Sequence, residues 1–170
     1  MADGQQTLRT DHETVFALNN NMEEKLITMA VKAMHACDAV VLSDYAKGVL
    51  TDNAIAELIR AAKAVSKVVI IDPKGADYSR YRGADIITPN RRELFEATGM
   101  PTGSDEDVTL AAQSLIDTHS FGAVLATRSK DGMTLLRKDG RLSHLRAEAI
   151  DVFDVSGAGD TVVATLATAL

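Results

Sequence analysis

Four short apolar runs constrain this chain more than any other feature: "AVVLS" at 39–43, "KVVIID" at 67–72, "ADIITPN" at 84–90 and "AVLAT" at 123–127. Each is continuous rather than alternating, the pattern of a strand covered on both faces. The segments around them carry apolar residues three and four apart, which is helical spacing. This spacing predicts helices over 21–35, over 52–66 behind a cap at Thr51 or Asp52, over Arg91–Thr98 and over 105–118. Strand alternating with helix predicts an α/β fold, Rossmann-like, with a mostly parallel sheet and helices on both faces. After the fourth run, "GMTLLRKDGRLSHL" reads as a hairpin turning at Asp139-Gly140. The segment "QQTLRTD" near the start alternates loosely and reads as a further strand, one able to pair across subunits in a homodimer.

Composition narrows the function. The chain has 170 residues, 46% hydrophobic and 25% charged, which is globular rather than disordered. Its net charge of −6 is dispersed, which argues against nucleic acid as the partner. Cys37 is the single cysteine, so no internal disulfide can form. No apolar run approaches the roughly 18–20 residues needed to span a bilayer, and residues 1–10 are polar. The expectation is a soluble protein without a membrane partner, cytoplasmic in location. His12, His35, His119 and His144 are scattered, with no metal-ligand spacing.

In a parallel sheet, ligands bind outside the C-terminal ends of the strands. The polar residues directly after each apolar run are therefore the candidates. They are Ser43-Asp44 with Lys47, Asp72 with Lys74, Asn90 with Glu93, and 127–130. Arg80 and Arg82 in "SRYRG" are a weaker candidate for a phosphate clamp and read better as a polar connector.

The sharpest local feature is "DVSGAGD" at 154–160. Gly157 and Gly159 let backbone approach a ligand closely. Opening a helix, the loop leaves the N–H groups of Ala158, Gly159 and Asp160 free to form an anion hole, aided by the helix dipole. Asp160 at its lip is placed to take a proton from an attacking hydroxyl, and anion stabilisation beside a base is what phosphoryl transfer to an alcohol needs. The plainer reading is that Asp154 or Ser156 caps a helix and Asp160 only decorates its first turn. No G-x-x-x-x-G-K-[ST] is present, and the glycine loop lies late, without G-x-G-x-x-G, which speaks against a dinucleotide oxidoreductase.

These residues resemble a known family. "DVFDVSGAGDTVVATLATAL" resembles the C-terminal motif of the ribokinase-like (PfkB) carbohydrate kinases, "TPNRRE" their N-x-x-E motif, and "TRSKDGM" their nucleotide-side turn. Within that family, "VVLSDYAKGVL" and "VIIDPKGADYSRYRGADIITPN" look most like the kinases of heptose phosphates. The resemblance implies ATP-dependent phosphorylation of D-glycero-β-D-manno-heptose 7-phosphate at its 1-hydroxyl, with Mg²⁺. It makes Asp160 the catalytic base and Gly157, Ala158 and Gly159 the anion hole. Asn90, Arg91, Arg92, Glu93, Thr127, Arg128, Ser129 and Gly132 would bind ATP, and Glu93 would reach the metal through water. Asp44, Lys47 and Lys74 would face the substrate, a small sugar phosphate. The family's domain is longer, so residues 1–170 are expected to be part of one kinase domain, incomplete at both ends and poorly active alone. Another sugar, or a non-catalytic nucleotide-binding module on the same scaffold, are the alternatives.

Overall fold

The computed structural model describes residues 15–147 and 157–169. The first helix, α1 (Asn20–Met34), starts at Asn19, whose side chain accepts from the Met22 N–H at 3.0 Å. Strand β1 (Ala39–Ser43) follows. Helix α2 (Asp52–Ala64) is capped by the Thr51 hydroxyl and buries Ile55, Leu58, Ile59 and Ala62, one stripe at helical spacing. Strand β2 (Val68–Asp72) leads through a 3₁₀ turn at Ser79–Tyr81 to β3 (Ile86–Ile87). Helices α3 (Arg91–Thr98) and α4 (Asp105–His119) each begin with a reciprocal capping box, Asn90/Glu93 and Ser104/Asp107. Strand β4 (Ala123–Thr127), the hairpin β5 (Met133–Arg137) and β6 (Leu142–Leu145), and helix α5 (Ala158–Thr168) complete the described chain.

The six strands form one sheet in sequential order. β1 to β4 are parallel, with Val41 opposite Ile70 and Ile87 opposite Val124; β5 and β6 add antiparallel. Val69, Ile71, Ile87 and Val124 point into the main core with the stripes of α2 and α4. Ile70 alternates onto the other face and is also fully buried. Helix α5 meets β1 and β2, and its buried residue, Val163, lies outside the main core cluster.

Two expectations are adjusted. The third strand is two residues long rather than seven; beyond it the pairing thins to single bonds, such as Asp85 N–H to the Val69 carbonyl at 3.1 Å and Thr127 N–H to the Pro89 carbonyl at 2.9 Å. The Asp85 carboxylate accepts the Val69 N–H at 2.8 Å, and Pro89 has no N–H to give. No α-helix joins β2 to β3; the 3₁₀ turn makes that crossover. The strand expected in residues 5–11, and the dimer contact assigned to it, fall outside the described residues.

Candidate active site

The tails of the parallel strands converge with the start of α5 on one cavity of ≈ 200 Å³. Tyr45, Asp72, Thr88, Asn90, Glu93, Thr127, Gly157, Gly159 and Asp160 line it. A larger cleft of ≈ 760 Å³ adjoins it through Asn90, Thr127 and Gly159, and takes in Arg91, Arg92, Ser129, Gly132 and Ala158. Its remaining wall is largely apolar, with Phe95, Met133, Leu145 and Val162. Such an arrangement suits a flat, weakly polar ring beside a strongly anionic group.

Helix α5 begins at Gly157. That residue is the N-cap with φ +76°, a left-handed conformation, and it has no side chain to cap with. The first helical bond runs from the Thr161 N–H to the Gly157 carbonyl at 2.9 Å. The N–H groups of Ala158, Gly159 and Asp160 precede that bond and have no acceptor inside the helix. The plainer reading of the loop, a cap from Asp154 or Ser156, falls on residues outside the described ones. Asp160 is exposed, lines the smaller cavity, and its Oδ1 accepts from the Tyr45 hydroxyl at 3.2 Å.

Glu93 is held from two sides. Its Oε2 accepts the Asn90 N–H at 3.0 Å, and its Oε1 pairs with Lys74 Nζ at 3.0 Å. Asp72 stands next to it at the end of β2. Burial, and then the nearby Glu93 carboxylate, push the Asp72 carboxyl above its ordinary range, against a weaker opposing bond from Ser43. Three carboxylates therefore face one cavity, with a lysine on one of them. The donors are hard oxygens, the kind Mg²⁺ selects. Among the described residues no three acidic, His or Cys side chains stand close enough to chelate an ion. A cation here fits as one carried in on phosphate oxygens and completed by water.

The other expected residues divide. Ser129 and Gly132 line the larger cleft, and Gly132 is required there. Its φ is +83°, and a Cβ would sit 1.9 Å from the Leu145 carbonyl oxygen. Arg91 and Arg92 line the same cleft but are paired with protein, Arg91 with Asp131 and Arg92 with Glu96 one turn on. Arg128 does not face it. Its side chain is 95% buried and binds Asp105 and Thr134, so its charge serves the junction between α4 and β5. Lys47 lines a third hollow with Tyr45, Val49 and Leu50. Asp44, in the same tail, borders that hollow too, but it is buried and its carboxylate is held by protein groups. Its Oδ1 accepts the Ala46 N–H at 2.8 Å, and its Oδ2 accepts the Tyr81 hydroxyl at 2.6 Å and lies 3.5 Å from Arg80 Nη1. Arg80 is also an internal tie, donating to the Leu50 carbonyl at 2.6 Å, which agrees with its reading as a connector.

Tyr45 was not singled out by sequence reasoning. The available signal was its place in a strand tail, one residue past a buried acid. Ala46, at φ +54°, turns the tail so that Tyr45 stays exposed while Asp44 faces inward. A non-glycine residue there costs about 1 kcal/mol, which the Asp44–Ala46 bond offsets.

A fold of this kind, with an amide-rich helix tip, a carboxylate at its lip and an N-x-x-E box on the neighbouring tail, defines a class of phosphotransferase. Residues 5–170 match the pfkB family of carbohydrate kinases, and the chain belongs to that family. It is 56% identical over 169 residues to Bifunctional protein HldE of Paramagnetospirillum magneticum, covering 99% of this chain and 35% of that protein. It is 52% identical to the protein of the same name from Rhodospirillum rubrum, covering 34% of it. The chain thus spans about a third of the length of these curated relatives. Among solved structures it is similar to phosphofructokinase-2 from Escherichia coli in complex with potassium, with TM-score 0.76 and 20% identity over 89% of this chain and 50% of that one. Arabidopsis thaliana ribokinase complexed with ribose and ATP superposes with TM-score 0.69 and 25% identity, over 90% of this chain and 46% of that one. The fold is the ribokinase-like α/β fold, with the parallel sheet and helices expected of it. Among the described residues, no helix is long and apolar enough to cross a membrane.

Proposed function

We propose that this chain carries the phosphoryl-transfer half of an ATP-dependent kinase domain. Its acceptor is D-glycero-β-D-manno-heptose 7-phosphate, phosphorylated at the 1-hydroxyl to the 1,7-bisphosphate on the route to ADP-heptose and lipopolysaccharide. The observation that carries the reading is Asp160. Its carboxylate lies on the same small cavity as Asn90 and Glu93, at the N-terminal tip of α5. The heptose is supported by the similarity to HldE proteins and by the "DYAKG" and "DPKG" blocks. A cytoplasmic location belongs to the same reading.

The residues divide the work. Asp160 takes the proton from the acceptor hydroxyl as its oxygen forms the new bond to phosphorus and the bond to the ADP oxygen breaks. The amides of Ala158 and Gly159 meet the equatorial oxygens of the moving phosphoryl group, where charge concentrates. Asn90 and Glu93 set the floor beneath the phosphates. Mg²⁺, when bound, neutralises phosphate charge; Glu93 would hold it through water. The larger cleft between α3 and the β5–β6 hairpin takes the nucleotide base. By themselves the 170 residues are expected to turn over poorly, since they span about a third of the length of the curated relatives. Clear phosphorylation of the heptose phosphate by this polypeptide contradicts that last point.

The test is Asp160→Asn in a kinase-active polypeptide carrying this segment. Turnover falls by about 10³-fold or more while Mg·ATP affinity stays within about threefold. A variant that keeps turning over removes Asp160 as the base. A wild type that binds Mg·ATP and never turns over in any context favours the non-catalytic module.

A further inference from the structure

Each oxygen of Glu93 has a protein partner. Its Oε2 is engaged by the Asn90 N–H that closes the capping box, and its Oε1 by Lys74. The two partners differ in kind. Asn90 is fixed at the start of a helix. The Lys74 side chain is 54% exposed, on a long flexible stem, while that of Glu93 is 11% exposed. The Lys74 backbone is fixed, because its N–H donates to the Tyr81 hydroxyl at 3.2 Å, so only the side chain is free to swing. Around it, Asp72 and Asp160 also face the cavity, and the Asp72 and Glu93 carboxylates repel each other.

We propose that Lys74 is an exchangeable counter-cation. With the cavity empty, its ammonium neutralises Glu93. When a divalent cation arrives on a polyphosphate, the cation and its water take over Glu93 Oε1, and the ammonium moves to the phosphate oxygens. An exposed lysine can do both, since it is a compact charge with three rotatable donors and loses little on leaving a half-solvated pair. The exchange keeps the charge of the site nearly balanced in both states and makes Glu93 selective for a cation that brings phosphate with it. It rests on the kinase reading for the identity of the incoming anion.

The two states give opposite signs in one variant. Lys74→Met frees Glu93, so Mn²⁺ alone, followed by its electron paramagnetic resonance signal, binds this chain about tenfold tighter. The same variant loses the phosphate contact, so Mn·ATP, followed by calorimetry, binds about tenfold weaker. Lys74→Arg keeps the charge and holds Mn·ATP affinity within about threefold. Circular dichroism confirms that each variant is folded; the side chain is exposed and its removal leaves the core intact. Shifts of the same sign for Mn²⁺ and Mn·ATP in Lys74→Met, or no shift in either, overturn the exchange while leaving the kinase reading in place. A wild type that binds Mn²⁺ but no Mn·ATP overturns the kinase reading; the Mn²⁺ titration of Lys74→Met then still decides whether Lys74 shields Glu93.

Discussion

The Tyr45 hydroxyl donates to Asp160 Oδ1 at 3.2 Å, joining the tail of the first parallel strand to the first turn of the last helix, 115 residues away. Asp160 and Tyr45 both line the smaller cavity. In a kinase-active polypeptide carrying this segment, Tyr45→Phe lowers kcat by about tenfold and leaves the KM for ATP unchanged, since a hydrogen bond to a charged group is worth about 1.5–3 kcal/mol. Steady-state kinetics with ATP varied at saturating acceptor checks it. A change confined to KM for ATP contradicts the assignment.

Asp44 belongs to stability. Asp44→Ala takes from the buried Tyr81 hydroxyl its shorter, charged acceptor, leaving only the Lys74 carbonyl at 3.2 Å, and takes from Arg80 one of its carboxylates. Unfolding free energy drops by about 3 kcal/mol, measured by urea titration. A variant that is as stable as the wild type returns Asp44 to the role of an open substrate contact.

Gly132 cannot be replaced. In Gly132→Ala the added Cβ meets the Leu145 carbonyl and the backbone sits at φ +83°. Strain of this type costs about 1–3 kcal/mol before the clash is counted. The hairpin must open to relieve it, so both the urea midpoint and the affinity for Mg·ATP fall.

Asp72 runs against the habit of carboxylates. Its folded pKa lies above the unfolded one, because burial and the Glu93 carboxylate disfavour its charge. Between those two values the folded state binds more protons than the unfolded state, so the slope of stability with pH is negative. Its contribution therefore favours folding below the ordinary aspartate range and is lost as pH rises through the folded pKa. Asp72→Asn raises the melting temperature at pH 7, and the gain shrinks toward pH 4. Thermal melts of the two proteins across that range provide the check.

The parts of this molecule that depend on local pattern are readable from the residues. The cores of β1, β2 and β4 are continuous apolar runs, and Thr51, Asn90 and Ser104 cap helices where their side-chain chemistry directs. The N-x-x-E box is legible because a capping box fixes both residues within one turn. Long-range pairing is what the sequence hides. Arg128 and Asp44 each follow a strand, as a ligand contact does, yet Asp105 and Tyr81 draw them inward across 23 and 37 residues. Tyr45 escaped notice because its importance lies in a partner 115 residues away. The third strand is shorter than its apolar run suggests, and no propensity marks the Asp85 carboxylate as the acceptor of the Val69 N–H.

A single phenolic oxygen, that of Tyr81, both donates to Asp44 and accepts from the backbone of Lys74. The supports of Tyr45 and of Lys74 are thus bolted to one joint. A molecule seated against the first is in mechanical register with the anion beside the second, to within the play of two hydrogen bonds. Re-tailoring the acceptor side by lengthening or turning its loop will therefore drag the phosphate side with it, unless that joint is cut first.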